Sequence, residues 1–75
     1  MLKIKDNIDL KELEKFGYLD MGNCYQKYVV WGNRIFIDKE TRKITRVHPY
    51  SLREEPIKEE IFDLIRAKLV EKVRE

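Results

Sequence analysis

The sequence predicts an α+β fold: a three- to four-stranded antiparallel β-meander packed on a long C-terminal helix, with a short N-terminal helix beside it. Three observations predict it. Asp9 and Gly17 bracket a short amphipathic segment, Gly-Asn pairs begin at Gly22 and Gly32, and the end of the chain carries apolar residues at helical spacing. A chain of this length is expected to form one domain, residues 1–75.

The segment "NIDLKELEKFGY" carries signals for both ends of a helix. Asp9 is a favourable N-cap, and Glu12 three residues later completes a capping box. Gly17 stands where helices end in the left-handed conformation. We therefore predict a short helix over about residues 9–16. The preceding "MLKIK" alternates apolar and charged residues, which fits a short strand or an extended arm.

The centre of the chain predicts an antiparallel meander. Glycine followed by asparagine suits a two-residue type II′ hairpin turn, and this pair occurs at Gly22-Asn23 and at Gly32-Asn33. The runs around these turns are rich in β-branched and aromatic residues. A third turn, "KETR", precedes "KITRV". The predicted strands span about residues 18–21, 24–31, 34–38 and 43–48.

The turns also predict which side chains share a face. Pairing outward from Gly32-Asn33 sets Tyr28 opposite Ile37, and pairing across the third turn sets Ile37 opposite Ile44. Because successive side chains alternate between the two faces of a sheet, one face is predicted to be the hydrophobic core. Its members are Leu19, Met21, Cys24, Tyr28, Val30, Ile35, Ile37 and Ile44.

The opposite face mixes aromatic and basic side chains and is the candidate binding surface. Rings beside cations can stack nucleic-acid bases while the cations hold the phosphates. The same face can instead be covered by the N-terminal helix, buried in a dimer, or used to bind a protein, and the sequence leaves these alternatives open. The predicted surface consists of Tyr25, Lys27, Val29, Trp31, Arg34, Phe36 and Lys43.

The final segment, "PIKEEIFDLIRAKLVEKVRE", predicts a helix over about residues 56–73. Such a helix would be longer than the strands, so its last turn is expected to overhang the sheet. Either the N-terminal helix or a second copy of the chain covers that end, and the second case gives a homodimer through Val70 and Val73. The apolar row of this helix contains Ile57, Ile61, Ile65, Leu69 and Val73.

The sequence predicts no enzyme, no metal site and no cofactor. His48 is the only histidine, and no Cys, His or Asp stands near it at ligand spacing. Cys24 falls on the predicted core face, where a cysteine behaves as a small apolar residue. The three glycines suit turns or helix ends, and none belongs to a phosphate-binding loop.

The charge is almost balanced, with a formal net charge of +2, but it is unevenly spread. Residues 21–53 contain seven Lys or Arg and two Asp or Glu, which gives +5 for the middle of the chain. Such a bias attracts phosphate or an acidic protein, although solvated strand edges also collect basic residues. A single cysteine and the lack of an apolar run of roughly 20 residues predict a cytoplasmic protein without a membrane segment.

Three stretches, "LKELEKFGY", "FIDKETRKI" and "IFDLIRAKLVEKV", resemble those of short uncharacterised proteins encoded by phages and prophages of low-GC Gram-positive bacteria. The likeness covers nearly the whole chain in the same order. It implies a phage-related intracellular setting and supplies no known activity or functional residues. We expect a small non-catalytic accessory protein that binds a host or phage protein. The alternative is a nucleic-acid-binding module that uses the same sheet face.

Overall fold

The computed structural model describes residues 1–29, 32–47, 56 and 58–73. Its strands are β1 (Leu2–Ile4), β2 (Leu19–Asp20), β3 (Cys24–Tyr28), β4 (Arg34–Asp38), β5 (Ile44–Val47) and β6 (Val70–Lys72). Within the described residues these strands form two antiparallel sheets, a four-stranded one in the order β2-β3-β4-β5 and a two-stranded one that pairs β1 with β6. The fold is therefore mostly β.

The N-terminal helix has the predicted position and ends. It spans Leu10–Phe16, the carboxylate of Asp9 accepts a backbone N–H of the first turn at 3.0 Å, and Gly17 has φ 88°. Two details differ from the expectation. The helix is a 3₁₀ helix, and the carboxylate of Glu12 accepts from Lys15 at 2.9 Å instead of closing a capping box.

The register of the meander is confirmed at one hairpin and wrong at another. Ile37 lies opposite Ile44, as predicted. Between β3 and β4, however, Tyr28 lies opposite Arg34 and not opposite Ile37. This is a shift of three residues, and any odd shift moves every side chain of a strand to the other face. The β2–β3 hairpin turns at Gly22-Asn23, as predicted. Because of the shift, however, the side chains of this hairpin lie on the face of the sheet opposite to the predicted one.

The shift arises because Asn33 is not a turn residue. Its carbonyl accepts a backbone hydrogen bond from Val29 at 2.9 Å, so these two residues face each other across the hairpin. The Asn33 side chain is buried and donates to the carboxylate of Glu60 at 3.3 Å. The predicted two-residue turn at Gly32-Asn33 is therefore wrong, and the predicted strand over residues 24–31 ends at Tyr28.

The predicted long C-terminal helix is also wrong, and with it the predicted fold class. The α-helix α1 spans only Phe62–Arg66 and continues from a 3₁₀ turn over Lys58–Ile61. We call residues 58–66 together the C-terminal helical segment. It ends where Lys68 adopts a left-handed φ of 60° and the N–H of the next residue, Leu69, returns to an earlier carbonyl.

After this helical segment the chain becomes extended. Strand β6 pairs with β1, which places Val70 opposite Ile4, and the N–H of Val73 donates to the carbonyl of Met1 at 2.9 Å. Val70 packs half-buried against the core. The predicted homodimer through Val70 and Val73 depended on a helix end that overhangs the sheet. In the structure, this part of the chain is instead a strand paired with β1.

The core lies between one face of the four-stranded sheet and the two helical pieces. An antiparallel β-bridge between Lys3 and Lys43 joins the two sheets beside the core. Apolar burial of this kind stabilises at roughly 25 cal/mol per Å² removed from water, so the core residues dominate the stability. They are Ile4, Leu13, Tyr18, Tyr25, Ile35, Ile37, Ile44, Ile61, Leu64 and Leu69.

Candidate functional site

The residues predicted to form one binding surface do not share a face. Tyr25 lies opposite Ile37 and is only 3% exposed, and Lys27 lies opposite Ile35. Because of the shifted register of β3, both side chains point toward the core, so the face predicted for these two residues is wrong. Val29 packs half-buried against the core.

Three of the predicted residues do lie together. Arg34, Phe36 and Lys43 belong to the face of the four-stranded sheet that points away from the core. We call it the open face. Trp31 and Val30, which were predicted on opposite faces, lie outside the described residues.

The open face also contains residues that the sequence placed in the core. Every one of its side chains is half-buried or exposed. Residues that lie opposite one another on neighbouring strands form rows across the sheet, and the open face has three of them. The middle row contains Leu19, Gln26, Phe36 and Thr45. The Tyr28 row contains Tyr28, Arg34 and Val47, and the Cys24 row contains Met21, Cys24, Asp38 and Lys43.

The Tyr28 row carries an exposed ring held beside a cation. Tyr28 is 65% exposed, and Leu19 in the adjacent row is 62% exposed. The guanidinium of Arg34 lies 5.8 Å from the centre of the Tyr28 ring and 5.6 Å from that of Phe36. Cation–π attraction at this distance is worth about 0.5–1 kcal/mol at an exposed site.

The Cys24 row contains a depression instead. A cavity of about 190 Å³ lies there, lined by Met1, Asn23, Cys24, Phe36, Asp38, Thr41, Lys43 and Thr45. The carboxylate of Asp38 shapes one side of it by accepting the backbone N–H groups of Glu40 and Thr41 at 2.7 and 2.9 Å. Asp38 itself is exposed. Tyr28 lines a second depression, of about 390 Å³, together with Lys27, Val29, Glu59 and Glu60.

The inward face carries a cluster of charged groups beneath the C-terminal helical segment. Lys27 and Arg46 stand on either side of Ile35 in one row of the sheet. The ammonium of Lys27 lies 3.2 Å from the carboxylate of Asp63, and the guanidinium of Arg46 lies 3.7 Å from that of Glu60. The side chain of Glu60 is only 6% exposed. Two ion pairs therefore join this helical segment to the sheet.

Tyr18 lies against this cluster. Its ring is 5.3 Å from the ammonium of Lys27, and its hydroxyl is buried with no hydrogen-bond partner among the described residues. Burial raises the pKa of Tyr18 above its ordinary value of 10.0, and the carboxylates of Asp63 and Glu60 act in the same direction. This hydroxyl is suited to neither acid nor base chemistry near neutral pH.

Tyr18→Phe is expected to leave the free energy of unfolding at pH 7 unchanged or to raise it by up to about 1 kcal/mol, because an unpartnered buried hydroxyl is costly. Above pH 10.0 the unfolded chain releases the Tyr18 proton while the native state, with its raised pKa, retains it. Stability should therefore fall with rising pH in wild type and fall less in the variant. Urea unfolding at pH 7 and pH 11 measures both effects. A loss above about 1 kcal/mol at pH 7, beyond that of the exposed control Tyr28→Phe, would contradict the expectation.

Most of the basic residues in the middle of the chain are engaged internally. Lys27 and Arg46 face the helical segment, as described above. Lys39 lies 2.7 Å from Asp20, and Arg42 donates to the backbone carbonyls of Lys5 and Ile8 at 2.9 and 2.6 Å. The local +5 charge is thus not displayed as one basic surface, although Arg34 and Lys43 lie on the open face. Arg53 lies outside the described residues, as does His48.

Comparisons of the chain with protein-family models, with curated proteins and with solved structures find no match. Within the part of the chain that the structure describes, no three His, Cys, Asp or Glu side chains are grouped as a metal site. In the same part, none of the helices is long and apolar enough to cross a membrane. The open face and the inward charged cluster are therefore the features from which a function is inferred.

Proposed function

We propose that this chain is a small non-catalytic interaction protein whose open face binds another protein. The exposure of large apolar side chains on this single sheet face supports the proposal. Leu19 is 62%, Tyr28 65% and Met21 53% exposed, and all three lie in the adjoining rows. In small proteins, contiguous apolar surface rimmed by polar groups marks interaction sites.

The composition of the open face is that of a protein interface. Tyrosine, phenylalanine, methionine and arginine are enriched in interfaces, whereas lysine and aspartate are depleted at their centres. Phe36 occupies the middle row, with Arg34 directly beside it. Asp38 and Lys43 stand in the Cys24 row. The exposed apolar and aromatic side chains beside Arg34 favour a protein partner.

One observation favours the alternative of nucleic-acid binding. Arg34 lies beside the two rings Tyr28 and Phe36, an arrangement on which bases can stack. Phosphate binding, however, draws on several cations at once, and each released counterion adds to the affinity. Because Lys27, Lys39 and Arg46 are engaged in ion pairs, the open face has few charges for this purpose. We therefore rank this alternative second.

The proposal includes the setting that the resemblance implies. The partner would be a host or phage protein, and the protein would act in the cytoplasm as a phage or prophage accessory factor. The single cysteine, Cys24, is compatible with a reducing compartment. The resemblance supports this setting, and the sheet geometry supports only the mode of binding.

Photo-cross-linking tests the proposal. A benzophenone amino acid replaces Tyr28 in one variant and Phe62 in a matched control, since both are exposed aromatic residues with an arginine over the ring. Phe62 belongs to the C-terminal helical segment, on the other side of the sheet. In lysate of a low-GC Gram-positive host, we expect discrete protein adducts from the Tyr28 position only. Excess wild-type protein should compete them away, and excess Leu19→Asp should not.

Equal adducts at both positions, or adducts that Leu19→Asp competes as well as wild type, would contradict binding by the open face. A second arm titrates labelled single- and double-stranded oligonucleotides at low and moderate salt. Salt-sensitive binding that Arg34→Ala weakens would support the nucleic-acid alternative over the protein partner. No binding at tens of micromolar would remove that alternative.

A further inference from the structure

We infer that the open face binds a short acidic segment of its protein partner. A single Asp or Glu carboxylate of that segment pairs with the guanidinium of Arg34, and an apolar neighbour packs on Tyr28 and Phe36. This inference rests on the proposed function, because it names the chemistry of the partner at the same face. Three observations support it: the surroundings of Arg34, the charges near it, and the size of the face.

Arg34 is a half-buried cation without a carboxylate partner. Its guanidinium lies beside the rings of Tyr28 and Phe36, and in the described part of the chain it has neither an ion pair nor a hydrogen-bond acceptor. Lys27 and Lys39, by contrast, each pair with a carboxylate of this chain. A guanidinium presents five N–H donors in a planar fork that matches a carboxylate. The donors of Arg34 are therefore available to a carboxylate of another molecule.

The two rings indicate that the acidic residue has an apolar neighbour. Tyr28 is 65% exposed, and Phe36 is half-buried in the adjacent row. A carboxylate that reaches the guanidinium between them brings the flanking residues of its own chain over this aromatic surface. An ion pair near the surface contributes little affinity by itself, so the burial of apolar surface has to accompany it.

Carboxylates on either side limit where the acidic residue can lie. Asp38 is four residues further along β4, about 13 Å from Arg34. At the other end, the depression that Tyr28 lines is also lined by Glu59 and Glu60. Like charges disfavour a further acidic side chain at both places. We therefore expect one acidic residue with apolar neighbours, and not a long acidic run.

A carboxylate suits this face better than a phosphate group. A phosphorylated side chain carries nearly two negative charges at pH 7, and clusters of arginines usually recognise it. Among the described residues of the open face the cations are Arg34 and Lys43, and Lys43 stands beside Asp38 at the other end of β4. A single arginine fork instead matches the one charge and two oxygens of a carboxylate.

The size of the face favours a segment over a folded surface. Four strands about 4.8 Å apart and roughly 17 Å long give a projected area of about 300 Å². A standard interface between folded proteins buries about 800 Å² on each side. A few residues of an extended chain can cover the smaller area.

Selection from a displayed library of random linear peptides tests this inference. Wild type is expected to enrich peptides that carry one Asp or Glu beside an aromatic or aliphatic residue. Arg34→Glu reverses the charge and should enrich Lys or Arg at that place. The matched control is Arg66→Glu, since Arg66 also lies 5.8 Å from the centre of an exposed ring, that of Phe62 on the C-terminal helical segment. This control should select the same acidic peptides as wild type.

Fluorescence anisotropy with the most enriched peptide measures the pair directly. Replacing the acidic residue of the peptide by its amide should raise the dissociation constant for wild type by about tenfold, and for Arg34→Ala by less than about twofold. Added salt should weaken the binding of the acidic peptide to wild type. Circular dichroism confirms that each variant is folded.

The outcomes separate this inference from the proposed function. A library that yields no enriched peptide, or peptides without an acidic residue, overturns the inference. So does an acidic preference that survives Arg34→Glu or is lost equally in Arg66→Glu. Photo-cross-linking at Tyr28 to proteins, with competition that Leu19→Asp abolishes, would then still support the proposed function. Acidic peptides from wild type that give way to basic ones in Arg34→Glu support the inference. If the Tyr28 position gives no adduct and the library no peptide, both fail.

Discussion

Leu64→Ala is expected to lower the free energy of unfolding by about 2–5 kcal/mol, the cost of removing a buried leucine and leaving a cavity. Leu64 is fully buried in the one α-helix of the described residues and contacts the core from the side opposite the sheet. At about 0.05–0.15 kcal/mol per residue, a 75-residue domain has only about 4–11 kcal/mol in total. This single change therefore removes a large share of the stability.

Urea unfolding followed by circular dichroism measures this loss as a shift of the transition midpoint at unchanged slope. The control is Phe62→Ala, two residues away in the same helix but 55% exposed. It should cost less than about 1 kcal/mol, because surface truncations create no cavity. Similar losses for the two variants would contradict the packing of the C-terminal helical segment on the sheet.

The two helix ends show which structural signals a sequence carries. At Gly17, the N–H of Tyr18 bonds the carbonyl of Leu13 and φ is positive, which is a Schellman ending. At Lys68, the N–H of Leu69 bonds the carbonyl five residues earlier and φ is again positive. The first ending was predicted because glycine marks it. The second was missed because lysine carries no such mark.

The missed ending explains the wrong helix. Ile61, Ile65, Leu69 and Val73 keep a spacing of four residues, which indicates a helix when the whole segment has one conformation. In the structure Leu69 is buried after the helix has ended, and Val73 follows a strand. What selects the strand is the hydrogen bonding of β6 to β1, nearly the whole chain length away. Local periodicity cannot report a partner at that distance.

The inward side of β3 was predicted wrongly for a related reason. On β4, Ile35 and Ile37 alternate with Arg34, Phe36 and Asp38, whose two charged members indicate the side that faces solvent, and the inward side was predicted correctly. On β3 neither side is plainly apolar, since Tyr25 and Lys27 alternate with Tyr28 and other residues of similar polarity. Such a strand specifies its register weakly. Arg34, Phe36 and Lys43 were therefore placed correctly, and Tyr28 was not.

The inward position of Lys27 shows what the sequence pattern lacked. A lysine on the core side of a sheet is unfavourable unless its charge is compensated. Here Asp63, 36 residues later in the chain, lies 3.2 Å from its ammonium group. Because the segment around Asp63 was predicted as part of one long helix, its contact with Lys27 could not be inferred.

Glu60→Leu is expected to lower the free energy of unfolding by about 3 kcal/mol, because it removes the carboxylate of a mostly buried ion pair with Arg46. Glu60 is 6% and Arg46 17% exposed, so water can replace the lost carboxylate only in part. Glu60 also accepts the hydrogen bond from Asn33 at 3.3 Å, whose loss adds to the cost. Arg46→Met should be destabilising for the converse reason, since it leaves the carboxylate without its guanidinium.

The double variant Glu60→Leu/Arg46→Met distinguishes a coupled pair from two independent contributions. Replacing both partners of a buried ion pair by apolar residues is often nearly neutral, because the desolvation of both charges disappears together. We therefore expect the double variant to be more stable than Glu60→Leu alone and to show a coupling of about 1–3 kcal/mol in a double-mutant cycle from urea unfolding. Losses that simply add would mean that Glu60 and Arg46 act separately. The ion pair between Glu60 and Arg46 would then contribute nothing to holding the C-terminal helical segment on the sheet.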